Sequence, residues 1–552
     1  MDMNDYLNKS HEVLKLKQFV TMPAVNGLSV LKENETKMNQ YLRSLYLKSI
    51  IEQPLYYRLR STSASLSVMY GQPKVHRNGY PLRPIISPIG SYNYELSRHL
   101  AQLIQRYRTP PPSFVKDSFQ FVERIKNIDC EDGQIMISFD IESLYTNIPV
   151  YEAIETVLNL IYVDGIKPND TPYCRDEMKE LLKLAICDVP FRFQAELYKQ
   201  KDGVAMGSCL APILADVFMI TLEQKLNKLS FNKPQLYFRY VDDVFCVFSK
   251  KQNYEAFLNT INQWHRNIHF TVKVENNGQL PYLDVTIMRN SNDRTYDTTL
   301  YKKPTDTGLY LLYESNQCRR YKLGLIKTLT VLILRICSTL QLIETQVKRL
   351  TDTLGDNGYP SHIIRKTILE GKVIAKRLEN PKHRKVIKSQ SKLRNIFFTL
   401  PYFGEETFVL GQRIKKLCKQ MIPTVDLKIA YKKTLTLKGI FLPIQKGLDE
   451  SKKMKNIVYS IPCTNCDFKY FGETSRDINI RIEEHRYDVR SYASNSKIVQ
   501  HVHGKKHVMD FNNAISVAHE TNWKRRMIKE SLLTHSADGK SINDVKFKLN
   551  IY

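Results

Sequence analysis

Two adjacent aspartates, Asp242 and Asp243, stand in the middle of the apolar, aromatic run LYFRYVDDVFCVFSK (Leu236–Lys250). The Tyr, Phe and Val residues around them favour strands, so the run predicts two short strands meeting at a tight turn that carries both carboxylates. A plain turn is served by Asp-Gly or Asn-Gly. Two like charges side by side repel unless something neutralises them, and a divalent cation does so at least cost. A third carboxylate lies upstream in GQIMISFDIESLYTNIPV (Gly133–Val150), where the pattern predicts a strand over Ile135–Phe139 with Asp140 at its end. An Asp at one strand end, facing an Asp-Asp hairpin on a neighbouring strand, suits two Mg²⁺ ions about 4 Å apart. Asp140 and Asp242 are then direct ligands and Asp243 a weaker one.

A second ligand set sits near the C-terminus. Cys463 and Cys466 form a CxxC, and QHVHGKKHVMDF (Gln500–Phe511) supplies His501, His503 and His507. A CxxC followed by His-x5-His offers four tetrahedral zinc donors, Cys463, Cys466, His501 and His507, with His503 spare. No βαβ pattern surrounds the CxxC, which argues against a thioredoxin-like redox role.

The elements that must position these groups can be read from composition and pattern. A chain of 552 residues is too long for one core and implies two to four domains. With 82 Lys+Arg against 56 Asp+Glu, the formal net charge of +26 calls for a polyanionic partner, nucleic acid before an anionic membrane. The most apolar run, from Leu323, carries Lys327 and Arg335 and reads as a buried helix, so no membrane span is expected. No secretory signal opens the charged first residues, and eight of the ten cysteines are scattered singly, which implies an intracellular protein. Residues 1–60 are polar and helix-permissive. Residues 61–307 alternate strand-like and helix-like stretches, an α/β pattern. Residues 308–420 read as all-helical, 421–455 as a linker, and 456–552 as a small α/β unit.

The motifs carry a resemblance. YVDD in an aromatic hairpin, FDIESLYTNIP upstream of it and GVAMGSCLAPILADVFM (Gly203–Met219) between them resemble a reverse transcriptase palm. The resemblance implies that Tyr145, five positions after Asp140, closes the pocket against a ribose 2′-hydroxyl, with Pro149 four further on. It implies that the element around Gly207 carries template and incoming nucleotide, glycine permitting close approach, with Pro212 in the first turn of the following helix. YGQPKVHRNGYPLRPIISPIGSYNYELS (Tyr70–Ser97) resembles the fingers of the same enzymes, with Lys74 and Arg83 across a hairpin turn and both within reach of a triphosphate. SLYTNIP, MGSCLAPILADVFM, LPYLDVTI, LYKKPTDTGLYL and NGYP together resemble Penelope-like retroelements. The resemblance implies that Asp284, at the start of a hairpin near the primer grip, is structural; Lys302 and Lys303 read equally as contacts to the nucleic-acid backbone and as solvated surface cations.

The last segment, NIVYSIPCTNCDFKYFGETSRDINIRIEEHRYDVR (Asn456–Arg490), resembles a GIY-YIG endonuclease, with triplets reading Ile457-Val458-Tyr459 and Tyr470-Phe471-Gly472. The resemblance implies that Glu530 holds one Mg²⁺, Arg481 stabilises the pentacovalent phosphate, and Tyr459, with Tyr470 and His485 nearby, helps activate water. The whole therefore implies a right-hand polymerase (fingers, palm, helical thumb) joined to a small α/β endonuclease, acting by target-primed reverse transcription. Its expected partners are an RNA template, a DNA target and primer, and deoxynucleoside triphosphates, in an intracellular and nuclear setting. The family pattern has a basic segment ahead of NDYLNK (Asn4–Lys9), so the chain is expected to begin part-way into the fingers. It also has a His-Pro and a further His where Gln317-Cys318 and Tyr321 stand. The alternative is a decayed or domesticated copy that cuts or binds nucleic acid without polymerising.

Overall fold

The computed structural model describes residues 2–379, 394–432 and 455–544, apart from positions 63, 76, 195, 230, 251, 291–292, 493–495, 521 and 538. Two sheets share the first half of the chain. The first, in the order β1-β6-β5-β2-β3, joins β1 (Phe19–Met22), β2 (Ser67–Pro73), β3 (Leu82–Ser87), β5 (Pro190–Phe193) and β6 (Glu196–Gln200). The second, in the order β7-β8-β4-β9, is antiparallel throughout: β4 (Ile135–Ile141), β7 (Leu236–Tyr240), β8 (Asp243–Phe248) and β9 (Phe270–Val274). After Asp243, every residue of β8 is buried, as its unbroken apolar run demands of a central strand. Helices Val150–Ile161 and Ala211–Glu223 pack into the same core as the inner faces of β4 and β8.

A three-stranded meander follows, β10 (Gln279–Tyr282), β11 (Val285–Asn290) and β12 (Thr295–Leu300), and then three helices, Arg319–Ile336, Leu340–Asp356 and Ser361–Glu379. The apolar run from Leu323 lies in the first of these and buries Ile326, Ile333 and Ile336. Among the described residues no helix is long and apolar enough to cross a membrane.

The stretch read as all-helical is not so throughout. β13 (Arg394–Pro401) pairs in parallel with β14 (Val425–Lys432) across the helix Glu405–Met421. β14 falls in the stretch read as linker. Its alternation of Val425, Leu427, Ile429 and Tyr431 is a strand signal that the interleaved lysines obscured. β13 is a short apolar run, which periodicity alone does not separate from helix. The basic stretch 380–392 and the rest of the expected linker, 433–454, lie outside the described residues. Within residues 1–60, read as helix-permissive, β1 pairs antiparallel with β6 and so belongs to the first sheet.

The C-terminal unit orders its strands β16-β15-β17, namely β15 (Ile457–Pro462), β16 (Lys469–Thr474) and β17 (Ile515–His519). Helices Ile478–Arg490, Lys497–Lys505 and Trp523–His535 complete it.

Candidate functional site

The antiparallel register of β4 and β8 sets Asp140 directly opposite Asp243. β4 therefore runs through Asp140 to Ile141, two residues past the expected end. Tyr240 pairs with Asp243 to close the β7–β8 hairpin, leaving Val241 and Asp242 as its turn. The Ile141 amide donates to the Asp242 carbonyl at 3.2 Å, so the turn lies against the end of β4. All three carboxylates thus share one sheet edge. Burial pushes the Asp242 carboxyl up, with the Asp140 charge adding to it and Arg83 and Lys74 opposing. Burial, then Asp242 and Asp140, push Asp243 up to about 6.

Cations from the β2–β3 hairpin face this cluster. The Lys74 ammonium is pushed down by burial and by Arg77 and Arg83, while Asp140 and Asp242 oppose the shift. Arg77 lies 3.1 Å from an Asp140 oxygen. The sequence reading missed Arg77 although it lies inside the quoted hairpin motif, because a turn cation looks like any solvated one. On the other flank, Lys273 and Lys303 hold Asp243 down against its burial. Lys302 instead lies 3.6 Å from Asp306 and over the Tyr310 ring. The Asp284 carbonyl accepts from the Tyr301 amide at the β10–β11 turn.

Tyr145 sits in the helical turn Leu144–Asn147, its carbonyl accepting from Val204 at 2.7 Å. Its ring packs on the core, and its hydroxyl is pushed up by burial first and then by the Asp242 charge. Pro212 occupies the first turn of Ala211–Glu223, as read. At Gly207, φ is +123 and a Cβ would lie 2.3 Å from the Ile86 carbonyl, so glycine here permits close packing against β3.

Behind the turn lies a group of charges that the sequence reading did not find. Arg239 is fully buried, its Nε 2.6 Å and Nη2 3.3 Å from the two oxygens of Glu223. Its Nη1 donates to Asp216 and to the Val241 carbonyl, each at 3.1 Å. Asp216 is also paired with Arg108. In sequence each of these is an isolated charge; only the fold brings them together.

In the C-terminal unit, the β15–β16 register pairs Tyr459 with Gly472 and Ile461 with Tyr470. A Cβ on Gly472 would lie 2.4 Å from the Tyr459 hydroxyl, so glycine makes the space that hydroxyl fills. The Tyr459 hydroxyl lies 2.7 Å from His485 Nε2. Burial, then Arg481, pushes His485 down to about 3, so at neutral pH its imidazole is uncharged. Tyr470 packs edge-on to His485 at 5.2 Å. Arg481 donates to Glu484 at 2.7 Å and stays charged, held by Tyr459 and Glu484 against burial. Glu530, buried on the helix Trp523–His535, is near enough to push both tyrosines up. All five residues expected from sequence converge.

The expected donors Cys463, Cys466, His501 and His507 also converge, with ligand atoms all within 4.8 Å of one another. Sulfur–nitrogen separations are 3.4 Å (Cys463 to His501), 3.6 Å (Cys466 to His501) and 3.7 Å (Cys463 to His507), and the two nitrogens are 3.2 Å apart. Zinc bonds of about 2.3 Å to sulfur and 2.0–2.1 Å to nitrogen, at tetrahedral angles, require edges of roughly 3.6 Å and 3.3 Å. The donor set fits. Burial, then His507 and Lys505, pushes His501 down, which favours the neutral ligand form. His503 points elsewhere, 3.0 Å from the Val489 carbonyl and stacked on Tyr492.

Residues 82–276 match the reverse transcriptase (RNA-dependent DNA polymerase) family. The matched segment contains Arg83, Asp140, Tyr145, Gly207, Asp242 and Asp243, and it supports RNA-directed DNA polymerase activity, which in such domains generally uses Mg²⁺. Residues 309–369 match the animal helix-turn-helix domain family, across the three helices that follow the meander. No curated protein matches the chain. Among solved structures it resembles apo telomerase from Candida tropicalis, truncated from its C-terminal domain, at 16% identity over 43% of this chain and 55% of that one, with a TM-score of 0.34. It also resembles telomerase from Candida albicans in complex with a TWJ fragment of telomeric RNA, at 11% identity over 70% of each chain and a TM-score of 0.41. A third is the Sicinivirus 3Dpol RNA-dependent RNA polymerase, at 11% identity, covering 58% and 71%, with a TM-score of 0.37. The chain spans just over half the length of the first of these.

The raised Asp243 carboxyl gives a signed pH dependence. Its folded pKa, about 6, exceeds the ordinary carboxylate value, so the stability it contributes is present at low pH and lost as pH rises through about 6. A cation binding the ionised cluster offsets that loss. Mg²⁺ is therefore expected to raise the thermal midpoint by several degrees more at pH 7.5 than at pH 5, read by scanning fluorimetry; an equal shift at both would contradict the cluster as its site.

Proposed function

We propose that the chain is the RNA-directed DNA polymerase of a Penelope-like retroelement, a right-hand polymerase linked to a GIY-YIG endonuclease that nicks DNA, acting by target-primed reverse transcription. The observation that carries the polymerase reading is the placing of Asp140, Asp242 and Asp243 on one sheet edge beneath the basic β2–β3 hairpin. Three mutually repelling carboxylates held together fit two Mg²⁺, with Asp140 and Asp242 as the principal ligands. When bound, such ions lower the pKa of a primer 3′-hydroxyl and neutralise the triphosphate and the leaving pyrophosphate. Lys74, Arg77 and Arg83 then orient the triphosphate by charge. Tyr145 walls off the sugar, so a ribose 2′-hydroxyl collides with its ring.

In the C-terminal unit, Arg481 supplies the cation for the scissile phosphate and Glu530 the carboxylate that holds a third Mg²⁺. Tyr459, hydrogen-bonded to the uncharged His485 and flanked by Tyr470, helps to orient and activate the attacking water. Cys463, Cys466, His501 and His507 hold a structural zinc that ties the β15–β16 turn to the helix Lys497–Lys505. The partners are an RNA template, a DNA target and primer, and deoxynucleotides, and a DNA target places the reaction in the nucleus. The net charge of +26 suits a protein that grips several phosphate backbones. A copy reduced to nucleic-acid binding is not favoured, because a scaffold gains nothing from three buried-edge carboxylates that repel one another.

Three variants test these assignments. Asp242→Asn keeps the turn but removes a metal-facing charge. Primer extension on an RNA template should fall by at least about a thousandfold, while the thermal midpoint stays level or rises as repulsion is relieved. Near-parental extension would refute the metal assignment. Arg481→Ala should abolish plasmid nicking and leave extension of a pre-annealed primer intact; joint loss of both activities would argue against separate sites. The full chain should carry one equivalent of zinc by mass spectrometry under native conditions. Cys463→Ser should lose that zinc and lower the midpoint of the C-terminal unit, because metal-binding energy is folding energy in a small unit.

A further inference from the structure

Arg239 stands three residues before Asp242 on β7, with no solvent exposure. Burying a guanidinium is expensive, and a well-packed apolar side chain in its place is often neutral or stabilising. Stability alone therefore does not account for it, and its geometry suggests another role. One nitrogen, Nη1, donates both to Asp216 and to the carbonyl of Val241, the residue immediately before Asp242. The other two nitrogens grip Glu223. Asp216 and Glu223 both belong to the helix Ala211–Glu223, and neither is loose: Arg108 pairs with Asp216, and the Ser113 hydroxyl donates to Glu223 at 3.2 Å. The Arg239 backbone is fixed as well, donating to Ser113 and accepting from Val115, both at 2.8 Å.

The turn so held is one the chain resists. Val241 adopts φ +55, in the left-handed region that a β-branched side chain disfavours. Such a conformation persists only where its surroundings over-determine it. Here the guanidinium holds the carbonyl of that same residue.

We infer that Arg239 is a positioning residue for the metal-holding carboxylates, indexing the Val241-Asp242 turn to the helix Ala211–Glu223 through the Val241 carbonyl. The inference rests on the polymerase reading for its consequence in catalysis, but its geometric content, the placement of a cation site, is independent of it. Arg239 touches no substrate and acts through the turn. Metal sites lose function when ligands move by fractions of an ångström, so loosening the turn weakens cation binding before it unfolds anything.

Arg239→Lys in the full chain keeps a charge for Glu223 and Asp216 but lacks the fork that also reaches Val241. The expected result is a half-saturating Mg²⁺ concentration for primer extension raised about fivefold or more and kcat lowered about tenfold. KM for template–primer should stay within twofold, with a thermal midpoint within a few degrees of the parent. Mn²⁺ binding, read by electron paramagnetic resonance as the difference between each protein and its Asp242→Asn form, should weaken by a similar factor. A parent that binds Mn²⁺ at these carboxylates but extends no primer would refute the polymerase reading, and the Mn²⁺ comparison would still decide the role of Arg239. If Arg239→Lys does not fold, Glu223→Gln, which loosens the same grip while keeping its shape, should shift Mn²⁺ affinity in the same direction. Parental Mn²⁺ affinity and Mg²⁺ requirement in a folded Arg239→Lys would overturn the inference, as would a lowered midpoint with metal parameters unchanged.

Discussion

Asp140 and Asp243 face one another because the apolar residues on either side of them cannot face anywhere else. Ile137 pairs with Cys246 and Phe139 with Val244, and all four are buried against the helices of the same core. A slip of one residue would turn that whole set to the other face of the sheet. Apolar burial on the order of 1.5–3 kcal/mol per large side chain therefore enforces a register that electrostatics opposes. The carboxylates respond by rising pKa, not by separating. Every other feature of the centre, from the strained Val241 turn to the basic hairpin above it, is arranged around that enforced proximity.

The two candidate centres handle charge in different ways. At the β4–β8 edge the protein gathers negative charge, and the Arg77 guanidinium offers only partial relief at 3.1 Å from Asp140. In the C-terminal unit the cation is built in: Arg481 sits among two tyrosines and two glutamates, and the nearby histidine is kept uncharged by burial and by that same arginine. The first centre leaves its negative charge largely uncompensated. The second carries its own positive charge.

Much of this was legible in the sequence because its signals are local. An Asp pair in an aromatic hairpin, a CxxC followed by His-x5-His, and an Arg and His four residues apart on one helix each announce themselves within a few residues. The four zinc-type donors converge as that spacing implied, although more than thirty residues separate the pairs. The Arg108–Asp216–Arg239–Glu223 group could not be read in that way, since its members come from three separated segments and each alone looks like a surface charge. Arg77 was hidden among ordinary turn cations. The need of Gly207 for space was legible, but its packing against the Ile86 carbonyl was not, because that carbonyl comes from a distant strand. The β13–β14 pair was missed because its strands are joined by a helix, β13 is a short apolar run and β14 is interleaved with lysine.

The path of the chain through the first two sheets has a consequence for how the protein is made. β1 to β3 belong to the first sheet, β4 to the second, β5 and β6 to the first again, and β7 to β9 to the second. During synthesis, Phe19 must wait for its partner Gln200, and β4 stands without β8 and β9 until the chain has passed residue 274. Such long-range pairings fold slowly and leave unpaired strand edges open to the wrong neighbours in the interval. The C-terminal unit closes over a much shorter span, with β15 meeting β16 across a brief turn. A ribosome therefore releases two folding problems of unequal difficulty from one chain. The first half calls for chaperone protection while it waits, and a pause or truncation before residue 274 yields a sticky half-sheet rather than a smaller working enzyme.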